Sequence, residues 1–349
     1  MRLTFAQSLM RTWAPRCQRT GPVRRMSSTT IRRSRLRARL EIPPPFPVTK
    51  SCPESSCNCP PTPDMPRGMP IDHEQALNGT MAAYTEQLLV CTGQQDWASR
   101  IENDGENQGW GNLVRGLKKL LGRGGPYLDA SSSIAPATSS STAASAFLFP
   151  SFKYIPSIPV DNHAHQTGLT TFVRAYLLPK RLHDMHASLP VAKQVDMTRF
   201  PDLQGHFPDA VDINYSPTIL ICGHGGRDMR CGTMAPALES EFQRVLQARG
   251  FTSANSEGTT VDAPNHAHIG RISHIGGHKY AGNVIVYLPP KMTIGGGTEP
   301  HPLAGKGIWY GRIEPKHVEG LVEETVLGGK VVTDHFRGGI DRSGDILRM

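Results

Sequence analysis

No run of 18 apolar residues occurs in the 349-residue chain, so nothing in it reads as a bilayer-spanning helix. Nucleotide motifs are missing too: "GHGGRD" from Gly223 lacks the Gly-Lys-Ser/Thr of a phosphate loop, and there is no dinucleotide fingerprint. No Ser-His-Asp order and no paired catalytic carboxylates are found, so the sequence supports no turnover reaction of its own. Acid is absent from the first 40 residues, which hold eleven arginines and no lysine, with apolar Leu3, Phe5, Leu9, Met10 and Trp13 among them. That pattern reads as a mitochondrial presequence over 1–40, carried by the import machinery into the matrix or intermembrane space. Removing it leaves 27 basic residues against 30 acids, so the formal net charge of +8 becomes about −3. The charge therefore gives no basis for a nucleic-acid partner.

An even set of cysteines is also lacking. The seven (Cys17, Cys52, Cys57, Cys59, Cys91, Cys222 and Cys231) do not suit a fully disulfide-bonded secreted domain and favour a reducing or metal-handling compartment. Cys52, Cys57, Cys59 and Cys91 are open to a second metal site or a thiol–disulfide role.

After the presequence, "EIPPPFPVTKSCPESSCNCPPTPDMPRGMP" is too rich in proline for helix or central strand and reads as an extended segment on the surface. "DHEQALNGTMAAYTEQ" reads as helical, "LLVCTG" as a buried strand and its loop, and "NLVRGLKKLLGRGG" (112–125) as an amphipathic helix with a glycine stop. Residues 130–146, "ASSSIAPATSSSTAASA", are expected to be a low-complexity insertion. "FLFPSFKYIPSIPV" and "TTFVRAYLLP" read as strands. In the second half, "TILICGHGG" repeats the strand, cysteine and glycine loop of "LLVCTGQ". Helix 235–250, strands at "GNVIVYLP" and "GIWYGRI", and helix 314–329 follow. Strand, helix, strand, strand, helix is the order of a thioredoxin-like unit. The expected fold is α/β: two thioredoxin-like halves, each a mixed sheet with flanking helices. The N-terminal half takes 41–129 and 147–210, and a ferredoxin-type C-terminal half takes 211–340.

The chemistry concentrates in that second half. Cys222 and Cys231 flank "GHGGRDMR" where a strand delivers its loop, and a helix N-terminus with Arg227 and Arg230 would favour thiolate. His274 and His278 bracket "IGG", a pair of glycines that bends a tight loop and aims both imidazoles at one point. Two thiolates and two imidazoles can hold zinc, hold a 2Fe-2S cluster, or stay metal-free. His224, His266 and His268 lie near this set but read as loop histidines, and Trp309 and Tyr310 as core aromatics.

"ILICGHGGRDMRCG", "ISHIGGHKYAGNVIVYLP" and "GIWYGRIEPKHVEGLVEETVLGGKV" closely resemble the sucrase/ferredoxin-like family, over most of the chain from about 50 to 338. The resemblance implies a thioredoxin-like ferredoxin fold with a 2Fe-2S cluster held by Cys222, Cys231, His274 and His278. It further implies an electron-transfer or redox-homeostasis protein serving an unidentified redox partner protein. Neutral imidazoles on one iron would place its potential above that of an all-cysteine cluster. The alternatives are a zinc-bound or metal-free thiol redox protein keeping mitochondrial disulfide balance, and a non-enzymatic assembly factor with a structural metal.

Overall fold

A computed structural model describes residues 43–56, 58–122, 125–127, 132–135, 143–160, 167–253 and 260–349. The presequence, Cys57 and most of 130–142 lie outside the described residues. The chain enters as an extended strap whose short strand β1 (Val48–Thr49) pairs in parallel with a strand near the far end of the chain. Proline excludes regular structure from the strap, and side chains moor it instead. Ser55 and Ser56 donate to Glu319, Thr62 donates to Glu314, and Asp72 pairs with Lys279 and Arg312. The strap thus lies on the C-terminal half, although a boundary at 41 assigns it to the N-terminal one. No helix forms over 72–85: Asp72 Oδ1 accepts from Glu74 and Gln75 N–H in an Asx turn, and Gly79 sits at φ +81°.

The N-terminal half runs β2 (Glu86–Val90), α1 (Gly109–Leu121), β3 (Ser132–Ala135), β4 (Ala143–Phe149), β5 (Lys153–Pro159), α2 (Thr167–Phe172), α3 (Val191–Asp196) and β6 (Val211–Asp212). The sheet order is β3-β2-β4-β5-β6, with β3 parallel to β2 and the rest antiparallel. Two expectations fail here. Residues 132–135 and 143–146 are strand, so part of the supposed insertion builds the sheet; small alanines at 144 and 146 are buried where larger side chains would not be needed to pair backbone. "TTFVRAYLLP" is helical, continuing α2 as a π turn over Val173–Leu177. Its β-branched and aromatic content suits a strand, but Leu169, Phe172, Val173, Tyr176 and Leu177 recur at helical spacing and all are buried.

The C-terminal half repeats the plan with β7 (Thr218–Cys222), α4 (Met229–Ala248), β8 (Thr252–Ser253), β9 (His266–Ile272), β10 (Val284–Leu288), β11 (Lys306–Tyr310), α5 (Pro315–Leu321), β12 (Val331–Val332), β13 (Phe336–Asp341) and β14 (Ile346–Leu347). Its order is β14-β13-β11-β10-β7-β9-β8, with β9 parallel to β7 and β10 and β11 antiparallel. In both halves, first strand, helix and parallel second strand are followed by two antiparallel strands and a helix. That is the thioredoxin-like topology. β12 takes β1, and the terminal hairpin reaches 347, beyond the expected boundary of 340.

The sheets pack face to face. Along β2 and β4, Leu88, Val90, Ala146 and Leu148 share a core with α1 and α2, while Leu89, Phe147 and Phe149 share one with the C-terminal sheet. Alternation along a strand buried on both sides produces this split. Phe149 stacks on Tyr287 at 4.0 Å, and the Tyr287 hydroxyl donates to Gln87 Oε1 at 2.6 Å. Among the described residues no helix is long and apolar enough to cross a membrane.

Candidate metal centre

Cys222 ends β7, its N–H bonded to the Asn283 carbonyl at 2.9 Å, while Gly223 N–H bonds the Ile272 carbonyl at 2.8 Å. The loop that follows presses against the N-terminal half. A Cβ on Gly226 would stand 2.3 Å from the Trp97 carbonyl oxygen, and Gly226 N–H donates to both Asp96 carboxylate oxygens at 3.1 Å. Only glycine allows that approach. Asp228 then caps α4, its Oδ1 accepting from Arg230 N–H at 3.1 Å. Helix α4 therefore begins six residues earlier than expected and carries Cys231 in its first turn.

The two thiols meet. Cys222 and Cys231 are 1 % and 0 % exposed and hydrogen-bonded to each other, and His274 also bonds Cys222. The bond from Cys231, reinforced by His274, holds the Cys222 thiol well below the usual range; as the donor beside that sulfur, Cys231 is pushed well up. Arg230 is engaged elsewhere, bidentate on Asp228 at 3.0 and 2.9 Å, and Arg227 is exposed.

The imidazoles arrive from the β9–β10 connection. Gly276 and Gly277, at φ +86° and +76°, make the bend, and the His274 and His278 rings lie 5.1 Å apart at 35°. His278 Nδ1 is buried with no hydrogen-bond partner among the described residues, while Nε2 stands 3.8 Å from Asp228 Oδ2. An orphaned buried ring nitrogen either holds an N–H without an acceptor or a lone pair free to accept a hydrogen bond or bind a metal. The four residues expected from the sequence thus come as two adjoining pairs. Among the described residues no group of three or more His, Cys, Asp or Glu side chains could hold a single metal ion.

Two residues support the centre in ways the sequence did not show: His224, read only as a loop histidine, and Arg337. His224 is fully buried: Nδ1 accepts from His274 N–H at 3.2 Å, so Nε2 carries the proton and faces the Trp97 and Ala98 carbonyls, each at 3.1 Å. Both ring nitrogens are spent on positioning, which keeps His224 from ligation. Arg337, 2 % exposed on β13, donates to Thr80 Oγ1 and carbonyl, Gly276 carbonyl and Asn283 Oδ1. Burial pushes its guanidinium down to about 10, opposed by attraction to Cys222, Tyr280 and Cys231. A lone arginine in "FRGGID" was the available signal.

Trp309 and Tyr310 are core, as expected, whereas His266 and His268 lie in β9 rather than in a loop, and His268 is buried with Nε2 on the Val261 carbonyl at 2.7 Å. Of the other thiols, Cys52 donates to the His317 carbonyl at 3.2 Å and burial raises it to about 11; burial raises Cys91 to about 12. Among the described residues Cys52, Cys59 and Cys91 form no disulfide.

The fold and site define a double thioredoxin-like protein with a cysteine–histidine centre on its second half. A sucrase/ferredoxin-like family model matches residues 77–338. Altered inheritance of mitochondria protein 32 of Debaryomyces hansenii is 31 % identical over 296 residues, covering 83 % of this chain and 95 % of that protein. The protein of the same name from Meyerozyma guilliermondii is 35 % identical over 170 residues, covering 49 % and 50 %. A thioredoxin-like [2Fe-2S] ferredoxin from Aquifex aeolicus aligns at 13 % identity and TM-score 0.21, over 35 % of this chain and 90 % of that one. The chain belongs to the sucrase/ferredoxin-like family.

Proposed function

We propose that this chain is a mitochondrial 2Fe-2S redox protein, with Cys222 and Cys231 on one iron and His274 and His278 on the other. The observation that carries the reading is the pairing itself: two thiols in mutual contact, two imidazoles beside them, and the buried Nδ1 of His278 without a partner. A mononuclear zinc site asks for four donors around one point, whereas a binuclear cluster asks for two protein donors per iron. The donor arrangement favours the second. The acid-free arginine-rich start and the mitochondrial name of the relatives support the location.

When bound, such a cluster supplies a one-electron couple. The protein would contribute the holding and the access. Asn283 and Ile272 fix the backbone at Cys222, Asp228 fixes the helix that carries Cys231, and His224 ties the His274 backbone to the N-terminal half. The sulfurs are buried, while the His278 side chain is 44 % exposed. A redox partner protein would therefore approach on the histidine side.

Anaerobic purification tests the reading: brown protein carrying about two irons and two sulfides per chain, with an electron paramagnetic resonance signal after dithionite. Cys222→Ser, Cys231→Ser and His278→Ala should each lower iron content, with Cys91→Ser as the control. The contact between the two thiols also favours a metal-free reading, in which they form a disulfide; colourless wild-type protein with a reducible 222–231 crosslink would establish that instead.

A further inference from the structure

Where the N-terminal half meets the terminal hairpin, a cavity of about 240 Å³ has Ser151, Lys153, Lys180, Arg199, Gln204 and Arg342 in its lining. Four cations converge there from the start of β5, the segments flanking α3, and the turn between β13 and β14. Two have counter-ions: Arg199 pairs with Glu86 at 2.9 Å, their side chains 5 % and 1 % exposed, and Lys153 with Asp212 at 2.5 Å. The other two, Lys180 and Arg342, are exposed and form no ion pair among the described residues, although Glu86 and Asp341 attract Lys180 at longer range. Lys180 Nζ donates to the Arg342 carbonyl at 2.9 Å, and the nearby Asp341 Oδ1 already accepts from Ser343 and Asp345 N–H. The Arg342 guanidinium makes no hydrogen bond or ion pair among the described residues.

We propose that this cavity binds a small phosphate-bearing anion. Two cations outside any ion pair, set beside the fixed Arg199, suit a phosphate group, and crowding like charges around one cavity is an electrostatic cost that an anion would relieve. The guanidinium fork suits phosphate oxygens, and buried Arg199, braced by Glu86, Ser151 Oγ and the Leu178 carbonyl, presents a fixed cation at the wall. Desolvation, with repulsion from Arg199 and Arg342, lowers the Lys180 pKa against the attraction of Glu86 and Asp341. The volume falls below the roughly 300 Å³ at which drug-sized ligand pockets begin, so the ligand is a phosphate, a pyrophosphate or a compact phosphate ester. Arg342 comes from the terminal hairpin and Lys180 and Arg199 from the N-terminal half, so binding would also tie the halves together.

The test is calorimetric titration of the full chain with pyrophosphate, paired with thermal unfolding. Wild type should bind one equivalent and gain thermal stability. Lys180→Met and Arg342→Gln should each weaken binding at least tenfold, Arg342→Lys should restore part of it, and Lys330→Met, outside the cavity, should leave it unchanged. The eleven arginines of 1–40 contribute equally to every variant, so a non-specific response cancels. Vesicles containing phosphatidic acid form a second arm: binding that pyrophosphate displaces and that needs Lys180 and Arg342 marks a lipid headgroup as the source, and pyrophosphate binding that vesicles do not compete marks a soluble one. No saturable response to either probe, or equal responses in wild type and the cavity variants, overturns the proposal.

Discussion

A double constraint at the centre falls on Gly277, in conformation and in space. It occupies the left-handed region at φ +76°, and a Cβ there would stand 2.5 Å from Arg337 Nη2, on a guanidinium boxed in by Thr80, Gly276 and Asn283. Gly250, at φ +84° with open space around it, carries the conformational demand alone. Gly250→Ala should cost about 1 kcal/mol, and Gly277→Ala about 2 kcal/mol or more, as measured by urea unfolding. Equal losses would show that the contact with Arg337 carries no strain. That the two thiols meet, and that the two imidazoles lie beside each other, was legible because each pair is punctuated by glycines within a few residues. The supports were not: His224 meets carbonyls 126 and 127 positions away, and Arg337 bonds Thr80, 257 positions away. Local pattern holds no trace of such distances.

Among the elements, α4 has most to lose from a single change, because its first turn carries Cys231 and its cap is Asp228. Asp228→Ala removes the acceptor for Arg230 N–H and the bidentate partner of the Arg230 side chain. It should lower stability by about 1–2 kcal/mol, with Asp228→Asn recovering part of the loss, in chemical denaturation curves. The order of strands and helices in the C-terminal half was legible because its apolar runs are short and bounded by Gly and Pro. The N-terminal half was harder. The segment at 167–177 has a strand's composition and a helix's periodicity, and burial of Phe172, Val173 and Tyr176 against β4 and β5 decides for the helix. In the 130–146 stretch, the neighbouring strand supplies an order that composition conceals.

For the whole molecule, burial holds three histidines neutral, His268, His301 and His317, each with its pKa lowered to about 4. The unfolded chain protonates these rings below pH 6.5 and the folded chain does not. Stability is therefore full above pH 6.5 and falls as the pH drops toward 4, by roughly 3 kcal/mol for fully buried His268. Thermal unfolding from pH 7 to 4.5 should show this decline, and His268→Gln should flatten it; an unchanged slope would remove His268 from the account. The duplicated architecture was visible as two strand-cysteine-glycine loops, but the sharing of one core between the sheets was not, since it depends on which face each alternating side chain meets.

The strap at 43–81 has a consequence for how the protein is made. Ser51 bonds Asp334, 283 positions later, and β1 waits for β12. These residues leave the ribosome early yet cannot take their places until nearly the whole chain has been synthesised, so the last-formed part of the native structure is built from some of its first-made residues, and a nascent chain halted before residue 331 would leave them free for proteases or chaperones.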